Sequence, residues 1–180
     1  LMLNIDYSKA VEFTKAGKYK KANKICQKLV KLDPENFEFL YLQGVILLGL
    51  RSFHNASVFL ERCSKIDTGN TEVLGFLAEA YKSSKRYEGA KDCLKRLIEL
   101  TPFDSIPLLN FAHLCQELGK QEEAIRVIEE KLDFHQSAPD VYITLGNLLM
   151  ETNKHLQAII PFQKAIELKA DSIAAHLGLA

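Results

Sequence analysis

The chain has 180 residues, 47% of them hydrophobic and 26% charged, so it can bury a sizeable core and is not a disordered chain. Its 23 basic residues equal its 23 acidic residues, and this balance removes any global attraction to nucleic acid or an anionic membrane. No apolar run is long enough to span a bilayer, and the first residues do not resemble a signal peptide.

Small residues recur every 34 positions inside apolar segments. One series has six members and a second has five, and the two series are offset by 12 residues: Ala10, Gly44, Ala78, Ala112, Gly146 and Ala180, then Ala22, Ala56, Ala90, Ala124 and Ala158. Such a strict period is typical of a repeat architecture.

Each period contains two segments with the apolar spacing of a helix, separated by a short polar joint. In chain order, the joints are residues 16–18, 50–52, 84–86, 118–120 and 152–154. Two helices of a hairpin approach closely only where a side chain is small, so the two series predict the contact line inside each hairpin. The fold class is therefore predicted to be all-α, with five hairpins and the start of a sixth.

Several residues predict where helices end or deform. Pro34 and Pro102 follow the first and third hairpins, and residues 68–70 form a turn after the second. The exit from the fourth hairpin, residues 133–138, lacks a proline and is predicted to be irregular. Pro161 lies inside a helix and is expected to bend it slightly.

The 34-residue period and its small residues resemble the tetratricopeptide repeat family. The fifth repeat carries the closest match, with Val141-Tyr142-Ile143-Thr144-Leu145-Gly146-Asn147 followed by Ala158, Phe162 and Ala165, although the tryptophan of the family signature is absent from the chain. The resemblance implies a right-handed superhelix whose first helices line a concave inner face. We expect a single domain with repeats at residues 3–36, 37–70, 71–104, 105–138 and 139–172, and a truncated sixth repeat at 173–180.

The family register also implies which side chains face the groove. On that basis, the function expected is a non-catalytic scaffold that binds a partner peptide or helix through ten residues: Tyr7, Tyr41, Leu42, Val45, Phe76, Glu79, Asn110, His113, Thr144 and Asn147. The alternative interpretation is that Tyr41, Leu42 and Val45 merely pack against neighbouring repeats.

Two known uses of the family groove are not expected here. The position that supplies lysine to a clamp for carboxylate termini is never lysine in this chain, and a ladder of asparagines is reduced to Asn110. Glu79, His113 and Asn147 share one register position, but no nucleophile, metal set or oxyanion hole accompanies them. We therefore expect no enzyme activity, no metal and no cofactor.

The four cysteines, Cys26, Cys63, Cys93 and Cys115, form no C-x-x-C pair and lie within helical patterns. We interpret them as buried reduced thiols, and we expect a cytoplasmic location.

Charge is uneven along the chain. Residues 1–34 hold eight lysines and three acids (8 − 3 = +5), whereas residues 105–138 hold three basic and six acidic residues (3 − 6 = −3). We favour a solvated outer face. The alternatives are an acidic partner or contact with the acidic fourth repeat of another copy, and no nucleic-acid or membrane partner is expected.

Two further functions remain open from the sequence. In the first, the chain is the substrate-positioning arm of a larger enzyme, such as a glycosyltransferase or methyltransferase with repeats at its N-terminus. In the second, it is a self-assembling scaffold in which the uncapped C-terminal end, or the +5 and −3 faces, pair between copies.

Overall fold

The computed structural model describes residues 2–179, with side chains from residue 5 onward. Over this range the chain is all-α and has no strand, which confirms the predicted fold class. Eleven α-helices follow one another within the described residues: α1 Met2–Lys15, α2 Tyr19–Leu32, α3 Phe37–Gly49, α4 Phe53–Ile66, α5 Thr71–Ser83, α6 Tyr87–Leu100, α7 Ser105–Glu117, α8 Gln121–Lys131, α9 Pro139–Glu151, α10 His155–Leu168 and α11 Ile173–Gly178.

The chain divides into two compact units. The N-terminal unit ends at Cys93 and the C-terminal unit begins at Leu94. In the N-terminal unit α1 packs on α2 and α3 packs on α4, while α7 packs on α8 and α9 packs on α10 in the C-terminal unit.

The five joints within the hairpins lie at the residues predicted from the sequence. The middle residue of each joint has a positive φ, between 58° and 69°, and is Gly17, Arg51, Lys85, Gly119 or Asn153. A backbone N–H three residues beyond the helix end, such as that of Lys18, donates to the carbonyl of Phe13 at 2.8 Å, and the other joints repeat this bond. One left-handed residue thus ends the first helix and reverses the chain in every hairpin.

The small residues of both series are buried throughout the described residues, and Ala180 lies outside them. A Cβ atom at Gly44 would lie 2.8 Å from Leu60, and one at Gly146 would lie 2.6 Å from the ring of Phe162. The helices of these two hairpins therefore approach more closely than any larger side chain allows.

The predicted helix ends and irregularities are also found. Helix α2 ends two residues before Pro34, α6 ends two residues before Pro102, and residues 67–70 separate α4 from α5. The exit from the fourth hairpin is irregular, as predicted, because a 3₁₀ helix at Leu132–His135 follows α8. Helix α10 continues through the buried Pro161. Within the part of the chain that the structure describes, no helix is both long and apolar enough to cross a bilayer.

All four cysteines are free and buried, which agrees with their interpretation as thiols of the core. The thiol of Cys26 donates to the carbonyl of Phe39 at 3.5 Å. Burial raises the pKa of Cys26 to about 12 and that of Cys63 to about 11. Both thiols are therefore neutral at physiological pH.

Replacing either of two glycines on first helices, Gly146 and Gly75, by leucine is expected to change the stability of the protein in opposite directions. Gly146→Leu places atoms against the fully buried ring of Phe162 and should lower the free energy of unfolding by about 1–3 kcal/mol. A Cβ at Gly75, on α5, meets no atom within 4 Å. Gly75→Leu should therefore raise the free energy of unfolding by about 0.5–1 kcal/mol, because glycine is a poor helix former. Urea denaturation followed by circular dichroism measures both. Equal destabilisation by the two variants would contradict the packing described.

The buried thiols predict a reactivity that depends on folding. A disulfide reagent such as 5,5′-dithiobis(2-nitrobenzoate) at pH 8 should modify the native cysteines at least roughly tenfold more slowly than those of the unfolded chain, because burial limits both access and ionisation. The chain in guanidinium chloride serves as the control and should release four equivalents of thionitrobenzoate. Rapid reaction of the native protein would show that the cysteines are exposed.

Candidate binding face

The first helices of the N-terminal unit lie side by side, since α3 contacts both α1 and α5. We call the surface that these three helices form the first-helix face. Three of the residues predicted to face a groove, Tyr7, Tyr41 and Phe76, come from the three different helices, and each is half-buried. Each ring therefore keeps part of its surface accessible while the rest packs on the core.

Three of the half-buried rings contact one another, and Tyr7 contacts a buried ring. Tyr41 stacks on Phe37, one turn earlier on α3, with ring centroids 6.2 Å apart and an interplanar angle of 4°. On its other side, Tyr41 meets Phe76 of α5 at 6.1 Å. Tyr7 packs at 5.7 Å against Phe39, which is almost fully buried. We call Tyr7, Phe37, Tyr41 and Phe76 the aromatic row.

A glutamate of the following repeat accompanies each tyrosine of the aromatic row. Burial raises the pKa of Tyr7, and the charge of Glu38 raises it further. The pKa of Tyr41 is raised by burial first and then by a hydrogen bond and charge interaction with Glu72. In both pairs the glutamate follows the tyrosine by 31 residues, and both glutamates are exposed. The two pairs therefore repeat one arrangement of phenol and carboxylate.

Gly75 interrupts this pattern at the third repeat. It occupies the register position of Tyr7 and Tyr41, and a Cβ built on it meets no atom within 4 Å. Residues three and four apart lie on one side of a helix, so Glu72 and Glu79 flank Gly75 on the exposed side of α5. Phe76 follows directly in the chain. The first-helix face therefore has an open position between two carboxylates, with Phe76 as the next residue in the chain.

The remaining predicted residues of the N-terminal unit differ in exposure. Leu42 is only 6% exposed and belongs to a core cluster with Ala10, Cys26 and Ile46. Its role is therefore to pack the hairpins, as the alternative interpretation held, and it offers a partner almost no surface. Val45 is half-buried.

In the C-terminal unit the predicted side chains are more polar. Asn110 and His113 are exposed on α7, and Asn147 is exposed on α9, which packs against α7. The hydroxyl of Thr144 donates to the carbonyl of Asp140 at 2.8 Å. Glu79 belongs to the other unit, so of the row expected from Glu79, His113 and Asn147, only the last two lie on neighbouring helices of one unit.

The C-terminal unit also contains an apolar cavity of about 300 Å³. Tyr142, Leu145 and Leu149 of α9 form one side of it, and Ile160 and Pro161 of α10 form another. This cavity was not predicted from the sequence, because it depends on how the side chains of α9 and α10 pack.

Charge differs between α2 and two of the first helices of the N-terminal unit, α3 and α5. Helix α2 carries five lysines and no acidic residue, and all five are exposed: Lys20, Lys21, Lys24, Lys28 and Lys31. Helices α3 and α5 together carry three exposed glutamates, Glu38, Glu72 and Glu79, against the single lysine Lys82. The aromatic row thus lies on the acidic side of the unit.

The arrangement is suited to binding. Among the residues that the structure describes, no group of three histidine, cysteine, aspartate or glutamate side chains could hold a metal ion. The polar groups near the aromatic row are carboxylates and phenols, and burial raises the pKa of both tyrosines above the usual phenol value. These groups offer hydrogen bonds, negative charge and ring surfaces to a ligand.

Sequence reasoning did not find two residues of this face, Glu72 and Phe37. The repeated spacing of 31 residues between tyrosine and glutamate would have identified Glu72. No comparable signal exists for Phe37, because its stacking on Tyr41 depends on ring orientation.

Models of known protein families match the chain in two places. A tetratricopeptide repeat model covers residues 47–108, and another covers residues 139–172. Among curated proteins, the chain is 25% identical over 168 residues to the human protein O-mannosyl-transferase TMTC3. This match covers 91% of the chain but only 18% of that relative.

Solved structures with the same fold include the crystal structure of MamA, with a TM-score of 0.79 and 21% identity over 93% of this chain and 92% of that one. YrrB, described as a TPR protein with an unusual peptide-binding site, has a TM-score of 0.73 and 17% identity over 97% of this chain and 90% of that one. At these identities the likeness concerns the fold.

Proposed function

Since the chain belongs to the tetratricopeptide repeat family, we propose that it is a non-catalytic scaffold whose first-helix face holds a segment of a partner polypeptide. The observation that carries this proposal is the aromatic row. Its four rings are half-buried and in contact with neighbouring rings, so a partner can cover them without rearranging the core. Aromatic side chains of this kind are enriched at the energetic centres of protein interfaces.

Two further observations support a peptide as the ligand. The aromatic row extends over the three first helices α1, α3 and α5, which suits an extended or helical segment better than a small molecule. YrrB, which shares the fold, is described as having a peptide-binding site. The four free cysteines favour a reducing compartment, and we place the scaffold in the cytoplasm on this basis.

A second function is favoured by one observation. The chain matches a stretch that makes up 18% of protein O-mannosyl-transferase TMTC3, so it can equally serve as the substrate-positioning arm of a longer glycosyltransferase. The sequence of the gene on both sides of this chain decides between them. A glycosyltransferase domain in the same reading frame supports the arm, and its absence supports the independent scaffold.

The proposed binding face predicts that filling the open position at Gly75 blocks the partner. A Gly75→Gln variant should keep its fold, because its Cβ meets no atom within 4 Å. It should lose at least about 90% of a captured partner, because the new side chain fills the open position. Affinity capture from lysate of the source cells, with quantitative mass spectrometry, measures this loss.

Gly69→Gln is the matched control, since Gly69 is an exposed glycine of the loop between α4 and α5 that also has space for a side chain. It should retain the same partner as the wild-type protein. If all three baits hold the same proteins in equal amounts, binding does not use the first-helix face.

A further inference from the structure

We propose that the ligand of the first-helix face is a cationic segment, and that one of its arginine or lysine side chains enters the open position at Gly75. This inference rests on the proposed function and adds the chemistry of the partner to it. The open position is bounded by Glu72 and Glu79 on the same side of α5, with Phe76 next to Gly75 in the chain. A carboxylate on each side and an adjacent ring are the groups that bind a guanidinium or an ammonium ion.

The two tyrosine–glutamate pairs extend the same chemistry along the face. Glu38 lies close enough to Tyr7, and Glu72 to Tyr41, for each carboxylate to act on the phenol beside it. A basic side chain stacked on either ring would meet a carboxylate at its edge. Because both pairs recur with the same 31-residue spacing, a segment with several basic residues has more than one site to occupy.

The charges around the face favour a cation. Helices α3 and α5 carry three glutamates and one lysine. Lys82 lies in the last turn of α5, three residues from Glu79 and more than two turns from Glu72. On α1, the exposed charges balance, with two acids and two lysines: Asp6, Lys9, Glu12 and Lys15. The net charge of the three helices is therefore negative (3 − 5 = −2), and it is concentrated on the two helices that carry Tyr41 and Gly75.

The lysines of α2 favour an acidic partner by charge alone. Lys20, Lys24, Lys28 and Lys31 fall along one side of that helix, and a solvated face explains them. Rings, carboxylates and an open position occur together only on the first-helix face among the surfaces described above. We therefore assign the cationic segment to that face.

A peptide selection tests the assignment. Random 12-residue peptides displayed on phage are selected on the wild-type chain, and every pool is screened in parallel on Gly75→Gln and Gly69→Gln. Peptides that Gly69→Gln retains and Gly75→Gln loses depend on the face. We expect them to contain at least about twice the arginine and lysine of the starting library, and less aspartate and glutamate.

The outcomes separate the two proposals. Face-dependent peptides that are neutral or acidic overturn the cationic ligand and leave the binding face intact. A selection without any face-dependent peptide contradicts the proposed function itself. Acidic peptides retained equally by all three baits would place binding elsewhere, with the lysines of α2 as the site to examine, and would also count against the first-helix face.

A selected basic peptide then tests the individual carboxylates. Glu72→Gln and Glu79→Gln, each with an exposed side chain, should each raise the Kd at least about fivefold at low salt, since a charge-assisted contact is lost. Asp92→Asn, which removes one exposed negative charge from α6, should leave the Kd within about twofold. Thermal unfolding confirms that the variants remain folded. An equal effect of all three substitutions would show general attraction instead of a specific site.

Discussion

The close approach of two helices at a small residue is the constraint on which this structure depends. Gly44 lies against Leu60 and Gly146 lies against Phe162 with no space for another carbon atom. This contact sets the distance between the two helices of a hairpin, and the left-handed residue of the joint sets their reversal. Because both features recur every 34 residues, first helices lie side by side within each unit, α3 with α1 and α5 in the first and α7 with α9 in the second.

The features that the sequence predicted well are those set by local chemistry. A glycine such as Gly17 or a proline such as Pro34 determines the backbone conformation of the residues next to it. Joints and helix ends were therefore predicted to within about two residues. The sequence left open whether Leu42 contacts a partner or packs between repeats. The family register assigns its position to the groove, but its side chain lies in the buried cluster that contains Cys26. The contact of Tyr41 with Glu72 joins two repeats, and the 31-residue spacing of the tyrosine–glutamate pairs is its one signal in the sequence.

The proposed binding face consists of side chains that are only partly buried in the core. The second helices bury their small residues in the hairpins, and the first helices bury residues such as Leu40 and Ile46 in the core. The rings of Tyr41 and Phe76 are held at half exposure between these cores and solvent. Rigid rings in a fixed row lose little conformational freedom on binding, which is the physical reason that a helical scaffold without catalytic groups can still select its ligand.

The most direct test of this account is site-specific photocrosslinking in the source cells. p-Benzoylphenylalanine replaces Phe76 in one variant and Phe103 in the other, since Phe103 is 79% exposed in the loop between α6 and α7 and lies outside the first-helix face. The account predicts that the probe at residue 76 crosslinks to a partner polypeptide and that the probe at residue 103 does not reach the same partner. Crosslinks from residue 103 alone would contradict the binding face.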